Sequence, residues 1–302
     1  MRLPRLAAAL ALLFAAAAHA ACRVEARASV PVTLVQNQAT VPVALNGQDT
    51  PMLLDTGAGR TLLTAAAAVQ RENLPQDEWV STPLRGAGNR IEEHRNVILT
   101  SMALGGLTLQ RRGLAQSISL AVTGQRLDPQ GRIAGLLGAD LLSRYDLDLD
   151  LPAGRLTLYS VTACAGRYLP WTASYDVIPA RVLPDNALVV QVLLDGRTLD
   201  AQLDTGAGAS LIDARGLHRL GLTPAALAHD STSLATGIGG QFLDQRHRFS
   251  ELRIGAERIV SPTIRVAALP RPGVDMLLGM DVLASRRIWI SYATAQLFIG
   301  TP

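Results

Sequence analysis

Short apolar runs of strand length, separated by glycine-rich turns, recur along the whole chain. One run ends with Leu53–Leu54 and leads directly into Asp55, and another ends with Gln202–Leu203 and leads into Asp204. Each is preceded by an Asn-Gly or Asp-Gly pair, which is a strong short-range signal for a tight hairpin turn. The pattern therefore predicts a mainly β protein in which two strands each end at an aspartate.

The region around each aspartate belongs to an internal repeat. Residues 55–59 read D-T-G-A-G, and residues 204–208 repeat the same letters. Behind each copy the same features follow in the same order: a short strand, a capped helix, a glycine-rich tip and an apolar-apolar-glycine strand. In the second copy Asp213 is the predicted N-cap of a helix that ends at Gly221. Such a repeat indicates gene duplication and two lobes.

The length of the chain fits this division. Without residues 1–20, about 280 residues remain, which is enough for two lobes that each bury a core. The N-terminal lobe is predicted over residues 21–160 and the C-terminal lobe over residues 175–302. Residues 161–174, which contain a cysteine, a glycine and a proline, are the predicted linker.

Residues 1–20 have the pattern of a secretory signal peptide. Arg2 and Arg5 form a basic start, Leu6–Ala18 is continuously apolar, and Ala18–Ala20 offers a small-x-small cleavage site. The apolar run is short for a membrane span. Cleavage and export to the periplasm or the medium are therefore predicted, with an uncleaved anchor as the alternative. After cleavage no stable membrane association is expected.

The charge of the chain does not indicate a nucleic-acid partner. The chain has 28 basic and 25 acidic residues, and every basic residue is an arginine. They form no basic cluster interleaved with aromatic residues, so binding to nucleic acid is not expected. The histidines are scattered without the spacing of metal ligands, and neither a metal nor another cofactor is expected.

The chain contains two cysteines, Cys22 and Cys164. In an exported protein such a pair most simply forms a disulfide, which here would tie the N-terminal segment to the connection between the lobes. Two free thiols are the alternative. Neither cysteine lies in a C-x-x-C motif, which disfavours redox chemistry.

The two D-T-G copies also suggest a chemistry. An aspartate at the end of a buried strand, followed by a tight turn, is partly desolvated and hydrogen-bonded. If the two turns face each other, Asp55 and Asp204 hold one proton between them, because two adjacent carboxylates cannot both ionise cheaply. Such a pair is suited to activating a water molecule.

These motifs resemble those of the retropepsin and pepsin-like aspartic proteases, and the resemblance covers nearly all of the chain after residue 20. The likeness is greatest to bacterial retropepsin-like proteases that carry two lobes in one polypeptide. It implies a mainly β fold of two pseudo-twofold-related β-barrel lobes with short helices. It also implies that Asp55 and Asp204 are the catalytic residues.

The resemblance implies further roles residue by residue. Thr56 and Thr205 would hydrogen-bond across the lobe interface, and Gly57 and Gly206 would let the backbone come close to substrate and carboxylate. Two flap tips would bind substrate, and two strands would thread behind the D-T-G turns. The flap residues are Gly86, Ala87, Gly88, Gly237, Ile238, Gly239 and Gly240, and the threading residues are Leu136, Leu137, Gly138, Leu277, Leu278 and Gly279.

The implied function is that of an exported aspartic endopeptidase, active as a monomer, that hydrolyses extended peptides or proteins. A catalytically silent, two-lobed periplasmic peptide-binding protein is the alternative function, and a homodimer that pairs like lobes is the alternative assembly. Ala58 and Ala207 stand where pepsins have a hydroxyl-bearing residue. Their presence argues against a strongly acidic optimum.

Other conspicuous residues are given structural interpretations. Asp140 and Asp281 each begin a predicted helix and are interpreted as helix caps. Trp79, Trp171 and Trp289 are expected in the core or at the lobe interface. The candidate catalytic carboxylates are thereby limited to the two D-T-G copies.

Overall fold

The structure is a computed structural model that describes residues 21–68, 73–88, 90–108, 118–268 and 271–300. The predicted signal peptide, residues 1–20, lies outside the described residues.

Strands dominate the first half of the described chain. They are β1 (Arg23–Pro31), β2 (Thr33–Val35), β3 (Gln38–Leu45), β4 (Gln48–Asp55), β5 (Leu62–Thr64), β6 (Gln76–Arg85), β7 (Ile91–Leu99), β8 (Met102–Leu104), β9 (Leu107–Thr108), β10 (Ile118–Thr123), β11 (Gly135–Gly138), β12 (Asp146–Asp150) and β13 (Arg155–Thr162).

The second half repeats this pattern. Its strands are β14 (Tyr175–Val182), β15 (Leu188–Leu194), β16 (Arg197–Leu203), β17 (Leu211–Ile212), β18 (Ser231–Gly237), β19 (Gly240–Arg248), β20 (Glu251–Ile254), β21 (Glu257–Val260), β22 (Thr263–Val266), β23 (Met276–Leu278), β24 (Arg287–Ser291) and β25 (Gln296–Gly300).

The helices that lie entirely within the described residues are short. They are α1 (Ala139–Leu142), α2 (Ala214–Leu220) and α3 (Met280–Leu283), with a 3₁₀ turn at Pro224–Leu227. The predicted limits of α2 are confirmed: Asp213 caps its first turn by accepting a hydrogen bond from a backbone N–H, and Gly221 ends it in the left-handed conformation. In the described part of the chain, no helix has the length and apolarity needed to cross a membrane.

The two halves have the same strand arrangement around each aspartate. β3 and β4 form a hairpin whose turn, Asn46-Gly47, has positive φ at both positions, and β15 and β16 form its counterpart around Asp195-Gly196. β11 lies between β4, to which it is parallel, and β5, to which it is antiparallel. β23 lies in the same way between β16 and β17. The predicted mainly β, two-lobed fold is thus confirmed.

A sheet that crosses from one half to the other joins the lobes. Its order is β1-β13-β12-β24-β25-β14, with β12 and β24 antiparallel at its centre. The predicted disulfide is confirmed: Cys22, beside β1, is bonded to Cys164, just after β13. Because β1 and β13 also pair along their length, the disulfide links two strands that backbone hydrogen bonds already join.

The expectation for the tryptophans holds for Trp289 and fails for Trp79. Trp289 is fully buried in the joining sheet, where its Nε1–H donates to Asp146, and Trp171 packs against it in a partly buried position. Trp79 is 90% exposed. It lies on β6, where the register with β7 shifts between Gln76 and Ser81, in a hairpin that projects away from the core.

Candidate active site

Asp55 and Asp204 are held at equivalent points of the two lobes. Asp55 is the last residue of β4 and lies opposite Gly138 in β11. Asp204 follows β16, and its N–H donates to the carbonyl of Leu278 in β23. The threading strands predicted from the sequence therefore do lie behind the two aspartates.

The D-T-G turn of each lobe is fixed to the helix behind it. The N–H of Ala139 donates to the carbonyl of Ala58 at 2.8 Å, and the N–H of Met280 donates to the carbonyl of Ala207 at 2.8 Å. A Cβ atom at Gly138 would lie 2.6 Å from the backbone carbon of Arg60. Only glycine allows the turn to pack so closely against β11.

The helix-cap interpretation of Asp140 and Asp281 is wrong. Gly138 and Gly279 occupy the cap positions of α1 and α3, and neither offers a side chain that bonds the helix. The Asp140 carboxylate instead accepts hydrogen bonds from the N–H and the hydroxyl of Thr61, at 2.8 and 2.7 Å. Asp281 accepts the same two bonds from Ser210. Each carboxylate thus fixes the end of a D-T-G turn to its helix.

Each candidate catalytic carboxylate accepts two backbone hydrogen bonds within its own turn. Oδ1 of Asp55 accepts from the N–H groups of Gly57 and Ala58 at 3.0 and 2.8 Å. Oδ1 of Asp204 accepts from those of Gly206 and Ala207, both at 3.0 Å. These bonds orient the carboxyl groups.

The glycines of the two turns bring the carboxyl groups together. A Cβ atom at Gly57 would lie 2.3 Å from the carboxyl carbon of Asp204, and one at Gly206 would lie 2.3 Å from that of Asp55. Each glycine therefore packs directly on the carboxyl group of the other lobe. The charge of Asp204 also acts on the pKa of Asp55, so the structure brings the predicted pair close together.

Thr56 and Thr205 lie under the pair and are fully buried. The hydroxyl of Thr56 donates to the carbonyl of Leu203 at 3.1 Å, and that of Thr205 donates to the carbonyl of Leu54 at 2.6 Å. Each hydroxyl also accepts from the backbone N–H of the other threonine. These bonds connect the lobes directly beneath the carboxyl groups.

Burial raises the pKa of both carboxyl groups, but the two surroundings differ. For Asp55, repulsion from Asp204 adds to burial, and the pKa rises to about 8 although backbone N–H groups oppose the rise. For Asp204, burial also raises the pKa, but the N–H groups of its turn and the positive charge of Arg271 counteract it. The surroundings of the two carboxyl groups thus differ by the positive charge of Arg271, which opposes the rise in the pKa of Asp204.

Two site residues, Gln202 and Arg271, were not found by sequence reasoning. Gln202 is buried just before Asp204, and its amide donates to the carbonyl of Gly57 in the other lobe at 3.0 Å. Its carbonyl oxygen accepts from the guanidinium of Arg271, which also forms an ion pair with Asp185. The sequence contained one signal for Gln202: the second copy of the repeat has this glutamine at the position where the first copy has Leu53.

Two hairpins cover the cleft and touch at their tips. The first, β6–β7, carries Gly86, Ala87 and Gly88, and the second, β18–β19, turns through Ile238 and Gly239.

Backbone bonds join these tips. The N–H of Gly88 donates to the carbonyl of Ile238 at 2.9 Å, and that of Arg90 donates to the carbonyl of Gly239 at 3.2 Å. The N–H of Gly239 donates to the carboxylate of Glu92 at 2.9 Å. Burial acts to raise the pKa of Glu92, but this bond and those from Thr123 and Gly124 outweigh it, so the pKa is lowered. Glu92 therefore stays an anionic acceptor for the opposite flap.

The carboxyl pair and the flaps enclose one cleft of about 1580 Å³ between the lobes. Two apolar walls flank it. One contains Leu53, Leu62 and Leu136, with Ile238 of the opposite flap packed against it, and the other contains Leu211 and Leu277. Such a cleft has room for several residues of an extended peptide.

A two-lobed β fold with a pair of contacting aspartates at the floor of a flap-covered cleft defines the class of aspartic proteases. A family model described as aspartyl protease matches residues 41–141 and 190–282, one segment in each lobe. The chain therefore belongs to the aspartyl protease family, whose members are protease-type hydrolases. No curated protein matches the chain.

Proposed function

We propose that the protein is an exported aspartic endopeptidase in which Asp55 and Asp204 activate a water molecule for attack on a peptide bond. The observation that carries this proposal is that each carboxyl group packs on the D-T-G glycine of the other lobe and accepts two backbone hydrogen bonds within its own turn. Two carboxyl groups that share one proton provide an acid and a base at the same place.

The asymmetric surroundings support one division of these roles. Asp204, whose anion is favoured by Arg271, takes a proton from the water. Asp55, whose pKa burial and the charge of Asp204 raise to about 8, donates its proton toward the carbonyl oxygen of the scissile bond. The tetrahedral diol that results collapses when a proton passes to the leaving nitrogen. No covalent acyl-enzyme forms, because water is the nucleophile.

The flaps bind the substrate in this proposal. An extended peptide lies between the carboxyl pair and the tips, and pairs as a strand with their backbone. The flap residues from Gly86 to Gly88 and from Gly237 to Gly240 are the proposed contacts. Because the tips are bonded to each other, substrate entry requires them to separate.

Export and the monomeric state are part of the proposal. The apolar segment before residue 20 and the disulfide between Cys22 and Cys164 support a location in the periplasm or the medium. Both aspartates belong to one chain, so a monomer contains a complete site. Gel filtration combined with activity measurements tests this point, because activity confined to a dimer contradicts it.

Cleavage-site profiling tests the proposed chemistry. The purified protein and its Asp55→Asn variant are incubated with a peptide library derived from a proteome, with and without the transition-state analogue pepstatin, across pH 3–7. We expect cleavage by the wild-type protein only. Identical cleavage profiles for the two proteins contradict the assignment. Intact peptides, together with peptide binding by the folded wild-type protein, support the silent binding protein instead.

A further inference from the structure

The N-terminal-lobe side of the cleft carries three exposed arginines. Arg60 follows the first D-T-G turn, Arg85 ends β6 beside the flap tip, and Arg126 lies in the loop after β10. All three line the cleft that contains the carboxyl pair. The three residues therefore border the space that the substrate would occupy.

Other charged residues that line the cleft have partners. Arg265 forms an ion pair with Asp244 at 2.7 Å, and Arg271 forms one with Asp185 at 2.8 Å. Asp128 forms an ion pair with Arg132 at 3.1 Å.

Asp140 is engaged by its bonds from Thr61. By contrast, no acidic side chain within the described ranges forms an ion pair with any of the three arginines Arg60, Arg85 and Arg126. The cleft thus has a surplus of positive charge on this side.

The internal repeat shows that the surplus is one-sided. The second D-T-G turn has Ala209 at the position of Arg60. The second flap has Thr236 at the position of Arg85, directly before its own glycine-rich tip. Both neutral residues line the opposite side of the cleft. The catalytic machinery is duplicated, but the charge beside it is not.

We propose that Arg60, Arg85 and Arg126 select peptides with acidic side chains at the substrate positions that face the N-terminal lobe. The inference rests on the proposed function and adds a substrate class to it. A guanidinium group binds a carboxylate through two parallel hydrogen bonds. An opposite charge at about 4 Å contributes roughly 1 kcal/mol even in a water-like environment, which is a five- to tenfold preference.

Matched peptides test the preference. Each set has one cleavable core sequence in which a single position on either side of the scissile bond is Glu, Gln or Lys, and kcat/KM is measured at low and at high salt. We expect the Glu peptide to exceed the Lys peptide by at least tenfold at one or more positions, with a smaller ratio at high salt. Equal values for Glu and Lys at every position, with efficient cleavage, would overturn the inference and leave the proposed function intact.

Variants then locate the preference. Arg60→Ala and Arg85→Thr introduce the residues of the second lobe and are expected to lower the Glu/Lys ratio severalfold. Arg60→Glu is expected to invert the ratio at the position that Arg60 faces. Arg197→Ala removes an exposed arginine at the far end of β16 and is the charge-matched control, with an unchanged ratio. A ratio that Arg60→Ala and Arg197→Ala lower equally contradicts a local effect.

A binding measurement separates the two hypotheses. Fluorescence anisotropy with labelled Glu and Lys peptides is measured on the wild-type protein and on Asp55→Asn. If no peptide is cleaved but the Glu peptide binds at least tenfold more tightly, the inference stands and the proposed function fails. Equal affinities of the two peptides for both proteins contradict the inference, whether or not cleavage occurs.

Discussion

The two D-T-G turns agree in their hydrogen bonds and differ in what surrounds them. In both lobes the carboxylate accepts two N–H groups of its own turn, and the glycine packs on the opposite carboxyl group. Behind the first aspartate lies apolar Leu53, whereas behind the second lies Gln202, bonded to Arg271. The N–H groups and glycines that position the two carboxyl groups are the same in both lobes. The residues behind the aspartates, which affect their charge, differ between the lobes.

This difference has a chemical consequence. A symmetric pair holds its proton equally on both members, but general acid–base catalysis needs one acid and one base. The positive charge of Arg271, which lowers the pKa of Asp204 against the effect of burial, is one difference between the two members. The flaps show the same division, since both have a glycine-rich tip and Glu92 of the first supplies an anionic acceptor to the second.

The largest expected effect on activity tests the feature that both lobes share, which is the catalytic aspartate of each D-T-G turn. Asp55→Asn and Asp204→Asn should each lower kcat by about 10³-fold or more, because each removes one member of the acid–base pair. The two losses should be similar despite the different surroundings. Single-turnover kinetics on folded protein, checked by circular dichroism, measures them. Substantial activity in either variant would mean that one carboxyl group suffices.

The next effect concerns the contact between the turns. Gly57→Ala and Gly206→Ala each place a Cβ atom 2.3 Å from a carboxyl carbon and must displace it. We expect about a 100-fold loss of kcat from each, because small displacements of reacting groups are costly. Gly208→Ala is the control in the same loop, since its Cβ would lie 3.9 Å from the nearest backbone oxygens. Equal activity of all three variants would contradict close packing of the carboxyl pair.

The sequence predicted the symmetric features well. The repeat of D-T-G and of apolar-apolar-glycine was sufficient to predict strands β11 and β23 behind the aspartates. It was also sufficient to predict the lobes and the α2 caps. These features depend on local turn chemistry and on a pattern that occurs twice, both of which are visible without coordinates.

What the sequence did not predict depends on contacts between distant segments. Gln202 reaches Gly57 in the other lobe, and Glu92 reaches Gly239 in the other flap. Asp140 was placed at the correct helix but given the wrong partner, because Thr61, which donates to it, lies after the first D-T-G turn and far away in the chain. Local propensity does not specify such partners.

A smaller effect is expected at the buried threonines. Thr205→Val leaves the carbonyl of Leu54 and the N–H of Thr56 without partners, and each buried unsatisfied group costs about 1–3 kcal/mol. Thr56→Val has the equivalent effect on Leu203 and Thr205. Thermal unfolding should show a fall in Tm of roughly 5–10 °C for either variant.

The serine variants Thr56→Ser and Thr205→Ser are the controls for these measurements, because they keep the hydroxyl groups. Each should retain most of the wild-type Tm. If valine and serine variants unfold at the same temperature, the hydroxyl bonds do not stabilise the lobe interface.

The smallest expected effect is on the pH dependence of kcat/KM, and it tests the difference in charge around the two aspartates. The competent pair carries one proton, so activity falls at high pH when Asp55 loses it and at low pH when Asp204 gains a second. Arg271 lowers the pKa of Asp204 against the effect of burial. Arg271→Gln should therefore raise that pKa and move the acid limb of kcat/KM to higher pH, by roughly one unit or less. The alkaline limb, which reports the proton on Asp55, should move less. Arg126→Gln removes another cation from the lining of the same cleft, and its acid limb should stay in place. An equal shift in both variants would mean that the general charge of the cleft, and not Arg271, distinguishes the two aspartates.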